Sequence, residues 1–417
     1  MAFLSASCIH QIFSLGSGDR QLYHLADRSR GVLFSGLRSL KLGDNFLDRD
    51  MSQPTFASID ATQALHTQWQ SWVEREKLKR LVWSAFEYDC SLCILTNRRA
   101  AVDLSELPRT FPCTESLWQA RTASSWKALM SSMSENATDA LPQVIVRGLL
   151  AGHAPPNDLP FWARRLSAQL ISRQLWDAKQ AEKAYMAECF ILPSARQAQL
   201  ETEACLLGGL QILAESVAAP KDVLELLNSN IITLILHYSH LHSSSDLLDL
   251  LVYVLRSSVQ SSMSDPRAIN SATQKLAAGL QRSVKQSRRM ACHAAQIVAV
   301  ASKFLVPAPC EILRVFMGFT FLMAFARYGQ HDSFLQHVKD GKDHVRLDDV
   351  HPSLTQKEAV VHWVQYGGPA AVGPIDNICD KDAFGKIKHH ALQTLGGLRR
   401  WGLAERFIKI IADFNFD

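Results

Sequence analysis

Glycine and proline are scarce in this 417-residue chain, at 20 and 15 residues, about 8% together against a usual sum near ~12%. So few breakers exclude a collagenous or turn-dominated chain and favour long helices. A charge of one sign is also missing. Lys and Arg number 44 and Asp and Glu 40, so no overall basic field exists of the kind that holds a protein on nucleic acid. Nine cysteines, an odd number, are too sparse for a disulfide scaffold. Most stand among apolar neighbours, where a thiol behaves as a small hydrophobe, and this predicts a reduced compartment, cytosol or nucleus. Long apolar runs are absent too. The longest, Val315–Ala326 between Arg314 and Arg327, would reach about 18 Å as a helix, short of the roughly 30 Å hydrocarbon core. It is expected to be a buried core helix. The opening Met1–Gly18 has no basic n-region and predicts a helix entering the fold rather than a secretory signal.

What is present is apolar material, 47% of the chain with 20% charged, enough for a sizeable core. No period of 20–50 residues repeats. Three- and four-residue apolar steps predict a helix through Leu22, Leu25, Leu33, Leu37 and Leu40, ended by Gly43, before a loop with Pro54. The next helix carries Leu78, Leu81, Val82, Ala85, Phe86 and Cys93 on one face, with Asp89 on the same apolar stripe. A carboxylate buried there needs hydrogen-bonding or cationic partners. Glu76 and Arg80 have the favourable i,i+4 order, read as a helix-surface pair adding about 0.3 kcal/mol. Pro108 and Pro112 interrupt helix, and Thr114 or Ser116 is expected to cap a short one near Leu117. Pro142, Gly152, Pro155, Pro156 and Pro160 mark an internal connection. The expected organisation is 1–135, a 136–162 connection, and 163–417. No run of alternating strands appears. The fold class is all-α.

Motifs for chemistry are thin. Gly-x-Ser-x-Gly and His-Glu-x-x-His are missing, removing the signatures of the serine elbow and of the zinc proteases. Gly368-Pro369-Ala370-Ala371-Val372-Gly373 imitates a phosphate loop without its Lys and Ser/Thr, and reads as a turn between helices. Asp348-Asp349-Val350-His351-Pro352 lacks the third acid of a diphosphate-magnesium cluster and reads as a solvated loop. Cys90 and Cys93 have no second ligand pair and read as core packing. His237, His240 and His242, with Asp246 nearby, could gather imidazoles at a helix end. His331 with His337, and His389-His390, have no ligand spacing. Asn136-Ala137-Thr138 is a sequon without weight in a chain read as non-secreted. Lys275–Arg289, five cations without an acid, is the most basic segment and reads first as a solvated helix face.

A Trp-x-x-Trp-x-x-x-Glu helix (Trp69, Trp72, Glu76) continues through Lys79–Phe86 to Asp89. Leu107-Pro108, Pro112, Leu117-Trp118-Gln119-Ala120 and Trp126 follow. In this order the pieces resemble the middle homology region of fungal-specific transcription factors. The Ser17-Gly18-Asp19 turn is similar to the block preceding that signature. Trp363, Gly367–Ala370 and Trp401–Phe407 are similar to the end of members bearing two-Cys/two-His fingers. The resemblance implies a large multi-helix regulatory domain of a nuclear regulator of RNA polymerase II genes, not an enzyme. Partners implied are a homo- or heterodimer with related transcription factors, with DNA contacted only through an N-terminal zinc module missing from this chain. Membranes are not expected, and a small-molecule effector is unknown. No catalytic, cofactor-binding or metal residue is nominated. Trp69, Trp72, Trp83, Trp118 and Trp126 are expected to be core anchors. Two other readings stand beside this one: a finger-less interaction protein that dimerises with or antagonises related factors, and, more remotely, a helical enzyme of secondary metabolism.

Overall fold

The computed structural model describes residues 1–40, 61–97, 99–132, 141–182, 193–217, 220–243, 246–259, 265–329, 345–350 and 353–414. Gly43, Pro54, Asn136–Thr138, Cys189, His331, His337 and the His351-Pro352 end of the acidic loop lie outside them. The described residues form sixteen α-helices, one 3-10 turn and one pair of two-residue strands, as an all-α chain should. They group into two compact units. The first comprises Met1–Leu15 with Arg20–Ile232, and the second Gly16–Asp19 with Thr233–Asp417. The described part of the 136–162 stretch belongs to the first unit.

In the first unit, α1 (Ala2–Gly16) and α2 (Arg20–Ser39) precede α3 (Ala61–Thr96). Gly36 lets the Leu4 side chain approach the α2 backbone where a Cβ would collide. With 36 residues, α3 is about 54 Å long. Its early turns are largely exposed, while Leu78, Leu81, Val82, Trp83, Phe86, Tyr88, Leu92 and Cys93 are buried. A 3-10 turn (Leu104–Glu106), α4 (Glu115–Trp118), α5 (Ala123–Ser132) and α6 (Pro142–Leu150, with Pro142 at its start) follow. Then come α7 (Phe161–Glu182) and α8 (Pro193–Glu215), with α7 packed against α3, α6 and α8. Thr114 occupies the N-cap of α4, without a side-chain bond to its backbone.

Helix α9 (Val223–Ser243) gives its first half to the first unit and its second half to the second. The second unit adds α10 (Leu247–Val259), α11 (Pro266–Arg282), α12 (Val284–Lys303), α13 (Pro309–Tyr328), α14 (Leu354–Tyr366), α15 (Ala383–Gly396) and α16 (Gly402–Asp413). Its centre is α13, contacted by α10, α11, α12, α15 and α16. At 20 residues this helix reaches about 30 Å, longer than the apolar run alone suggested. Pro309 starts it six residues before Val315, and the buried Glu311 and Arg314 neutralise each other one turn apart. Length therefore does not separate α13 from a membrane span. Burial does, since 89% of its apolar window is covered inside the fold.

Two motif pieces from opposite ends of the chain meet in the second unit. Gly18, at φ 69°, faces Gly402 so closely that a Cβ would overlap its carbonyl, and Arg406 Nε donates to the Gly18 carbonyl at 3.0 Å. Trp401 Nε1 donates to the Pro307 carbonyl at 2.9 Å. The loop imitating a phosphate site also finds its role. Ala370–Ala371 form strand β2, paired in parallel with β1 (Val345–Arg346), and Asp348 accepts the Gly373 amide at 2.8 Å and Arg346 Nε at 3.0 Å. That acid braces the loop.

Candidate functional site

Asp89 is fully buried on α3, and its carboxylate is the centre of a polar node in the first unit. Its oxygens accept the amides of Ala101 and Val102, each at 3.0 Å. Arg30 of α2 donates to Oδ1, and Arg173 Nη1 of α7 donates to Oδ2 at 3.4 Å. Arg173, itself 5% exposed, also ion-pairs with Asp177 at 2.9 Å and donates to the Val102 carbonyl at 3.2 Å. A lone carboxylate would be costly at such a position; here every lone-pair direction meets a donor. One acid thereby ties α2, α3, α7 and the 101–102 backbone to one another.

Beside this node lies a cleft of about 420 Å³, lined by Arg38, the 100–104 segment, Arg173, Gln174 and Asp177. Arg38 forks onto Glu106 at 2.6 and 2.9 Å and donates to the Ala101 carbonyl. Those hydrogen bonds hold the Glu106 carboxyl below its usual range. Asp103 and Glu106 close a capping box on the 3-10 turn. The rim is therefore polar and internally paired.

A second node fixes the tryptophan signature. Glu76 is buried and accepts the Cys113 amide at 2.8 Å, Lys79 Nζ at 3.0 Å and Arg80 Nε at 3.3 Å. Arg80 continues to the Cys113 carbonyl and to Glu115, and its guanidinium lies 4.5 Å over the Trp118 ring and 5.2 Å over Trp162. The surface-pair expectation for Glu76 and Arg80 is thus corrected: Pro108 and Pro112 return the chain onto this face and bury the acid. Trp83 and Trp126 are buried anchors, while Trp69, Trp72 and Trp118 pack partly buried around Cys113, Leu117 and Trp126. Trp83 Nε1 donates to the Thr110 carbonyl at 3.1 Å, and its ring meets Phe86 and Phe111. Replacing Trp83 with phenylalanine is expected to cost about 1–2 kcal/mol through the lost bond and the smaller ring. Urea denaturation checks this, and an unchanged midpoint would remove Trp83 from the anchors.

In the second unit, His237 and His240 of α9 meet His293 of α12, a residue the sequence reading did not select. His237 Nδ1 and His293 Nδ1 are 2.9 Å apart, and His240 stacks on His293 at 4.1 Å. His242 instead stacks on Tyr238. Burial pushes His237 down to about 3 and His240 to about 4, and lowers His293 strongly, with Arg289 adding to the effect on the last two. The trio is a neutral hydrogen-bonded and stacked cluster.

Among the described residues, no three His, Cys, Asp or Glu side chains are placed to hold a metal ion. Cys90 and Cys93 are buried, and burial pushes the Cys93 thiol up to about 12. Such thiols pack rather than react. The nodes of the first unit consist of charges already joined to other protein groups. Their chemistry is to fix helices at set positions around a polar cleft.

Residues 4–145, which include both Asp89 and Glu76, match the fungal specific transcription factor domain. That stretch is similar to such a domain. It covers the tryptophan signature, the Arg30–Asp89 pair and the Arg38–Glu106 fork, whereas Arg173 lies beyond the matched boundary. Similar proteins include Transcription factor PfmaH of Pestalotiopsis fici, 27% identical over 123 residues, 30% of this chain and 12% of that protein. Zinc finger protein klf1 of Schizosaccharomyces pombe is 26% identical over 157 residues, 37% of this chain and 19% of that protein. Transcription factor 1 of Elsinoe fawcettii is 26% identical over 145 residues, 34% and 15% respectively. The matched stretches thus span less than a fifth of these relatives. No solved structure matches the chain.

Proposed function

We propose that this chain is a regulator of RNA polymerase II transcription, acting in the nucleus as a helical regulatory and association region and not as an enzyme. The observation that carries the reading is the domain match over residues 4–145, with its signature residues assembled into two buried polar nodes rather than spread over a surface. Similar proteins named as transcription factors support it. Related factors are the expected partners, by homo- or heterodimerisation, and DNA is reached in the complex through a zinc module. The account of an interaction protein that antagonises related factors differs in sign, not in surface.

Rapid depletion of the protein followed by nascent-transcript profiling tests the proposal. A defined set of polymerase II transcripts is expected to change before secondary effects accumulate. A profile identical to that of undepleted cells would overturn it.

A further inference from the structure

From Pro266 to Cys310 the chain contains no acidic residue and seven Lys or Arg, while the remaining residues together are net negative by three. The whole positive balance of the protein therefore resides in this one stretch, which forms α11 and α12. The two helices are separated only by Ser283 and pack on each other. Arg288 is turned inward beside Gly367. Lys275, Arg282, Lys285 and Arg289 are exposed, and among the described residues no carboxylate pairs with any of them. Lys275 and Arg282 are seven residues apart on one face of α11, about 10 Å along the axis. Lys285 and Arg289 are one turn apart on α12, so the four cations bracket the elbow between the helices.

The rest of this surface decides the kind of partner. The other exposed positions from Asn270 to Arg289 are Asn270, Ser271, Gln274, Gln281 and Ser283, all hydrogen-bond donors, and the small Ala278. No exposed large apolar residue occurs from α11 through α13. Protein interfaces centre on apolar and aromatic anchors, which are missing here. Phosphate oxygens are contacted by this other set, Lys and Arg with Ser, Asn and Gln.

We propose that the α11–α12 elbow is a sequence-independent docking surface for the phosphodiester backbone of nucleic acid. It contacts phosphates and reads no bases, and it requires no zinc module.

The test is fluorescence anisotropy of the full chain with a labelled duplex of about 20 base pairs, titrated across salt. With four phosphate contacts, log K should fall with log salt at a slope near −3.6. The variant K275Q/R282Q/K285Q/R289Q should lose at least about tenfold in affinity and most of that slope. A control, K127Q/R147Q/K357Q/K381Q, removes as many exposed cations elsewhere and should retain binding. Lysine footprinting of the unsubstituted chain needs no variant, and duplex should protect Lys275 and Lys285. The proposal is overturned if both variants bind alike, if the unsubstituted chain binds no duplex at low salt, or if the footprint is absent. It is also overturned if an acidic peptide or anionic vesicles, but not duplex, occupy the elbow.

Discussion

Replacing Asp89 with alanine is expected to destabilise the first unit by about 3–5 kcal/mol, the range for removing one partner of a buried ion pair. The carboxylate is fully buried, and it alone connects Arg30 and Arg173 with the amides of Ala101 and Val102. Alanine leaves two guanidiniums facing each other across a small void and two amides without their acceptor. The two amides then bear their desolvation cost without return, and each guanidinium loses its strongest buried partner while Arg173 keeps Asp177 and the Val102 carbonyl and Arg30 keeps the Arg99 carbonyl. Asparagine keeps one oxygen for the amides but removes the charge, so Asp89→Asn should fall between alanine and the parent. Urea denaturation of the three proteins provides the comparison. A loss below about 1 kcal/mol for alanine would mean that water reaches the node and that the acid holds nothing together.

Acidification should act on the second unit through the imidazole cluster. The folded state holds His237, His240 and His293 with pKa values below the ordinary 6.5, His237 near 3 and His240 near 4. Below pH 6.5 the unfolded chain therefore binds more protons than the folded one, and stability falls as pH falls. The contribution is complete above about pH 6.5 and is lost progressively towards pH 4, at up to about 1.4 kcal/mol per pH unit for each histidine. Between pH 5 and 6.5 most carboxylates remain ionised, so this window isolates the imidazoles. His293→Gln should flatten the stability slope there by about one proton relative to the parent. Equal slopes for variant and parent would show that the cluster already opens to protons in the folded state.

Much of this architecture is legible in the sequence, for identifiable reasons. Helices follow from the scarcity of glycine and proline and from apolar steps of three and four, as in α2 and α3. Local period also places Asp89 on a buried face, but its partners lie 59 and 84 residues away, and period carries no information about such pairings. One signal was there to find: Arg173 stands three residues after Leu170 and three before Trp176, a cation in an apolar stripe like Asp89 itself. For Glu76 the i,i+4 spacing is a local signal, whereas burial comes from the returning 108–113 segment, whose Cys113 amide the acid accepts beside Trp118. Proximity in sequence misdirected the histidines in the same way. His237 and His240 pair with His293, 53 residues beyond His240, whereas His242, two residues away, projects to Tyr238. The apolar run stops at Arg314 and so gives no sign of the earlier turns of α13, where Glu311 neutralises that charge inside the same helix.

The central claim, that these residues form a transcription-regulating region held in shape by the Asp89 node, is tested most directly by tethering. The full chain is fused to an unrelated DNA-binding module and directed to a reporter promoter in fungal cells, beside the same fusion carrying Asp89→Ala. The account predicts that the parent fusion shifts reporter transcription, upward or downward, and that the variant, present at the same level, does not. A folded, nuclear parent fusion that leaves the reporter at the level of the DNA-binding module alone would contradict it.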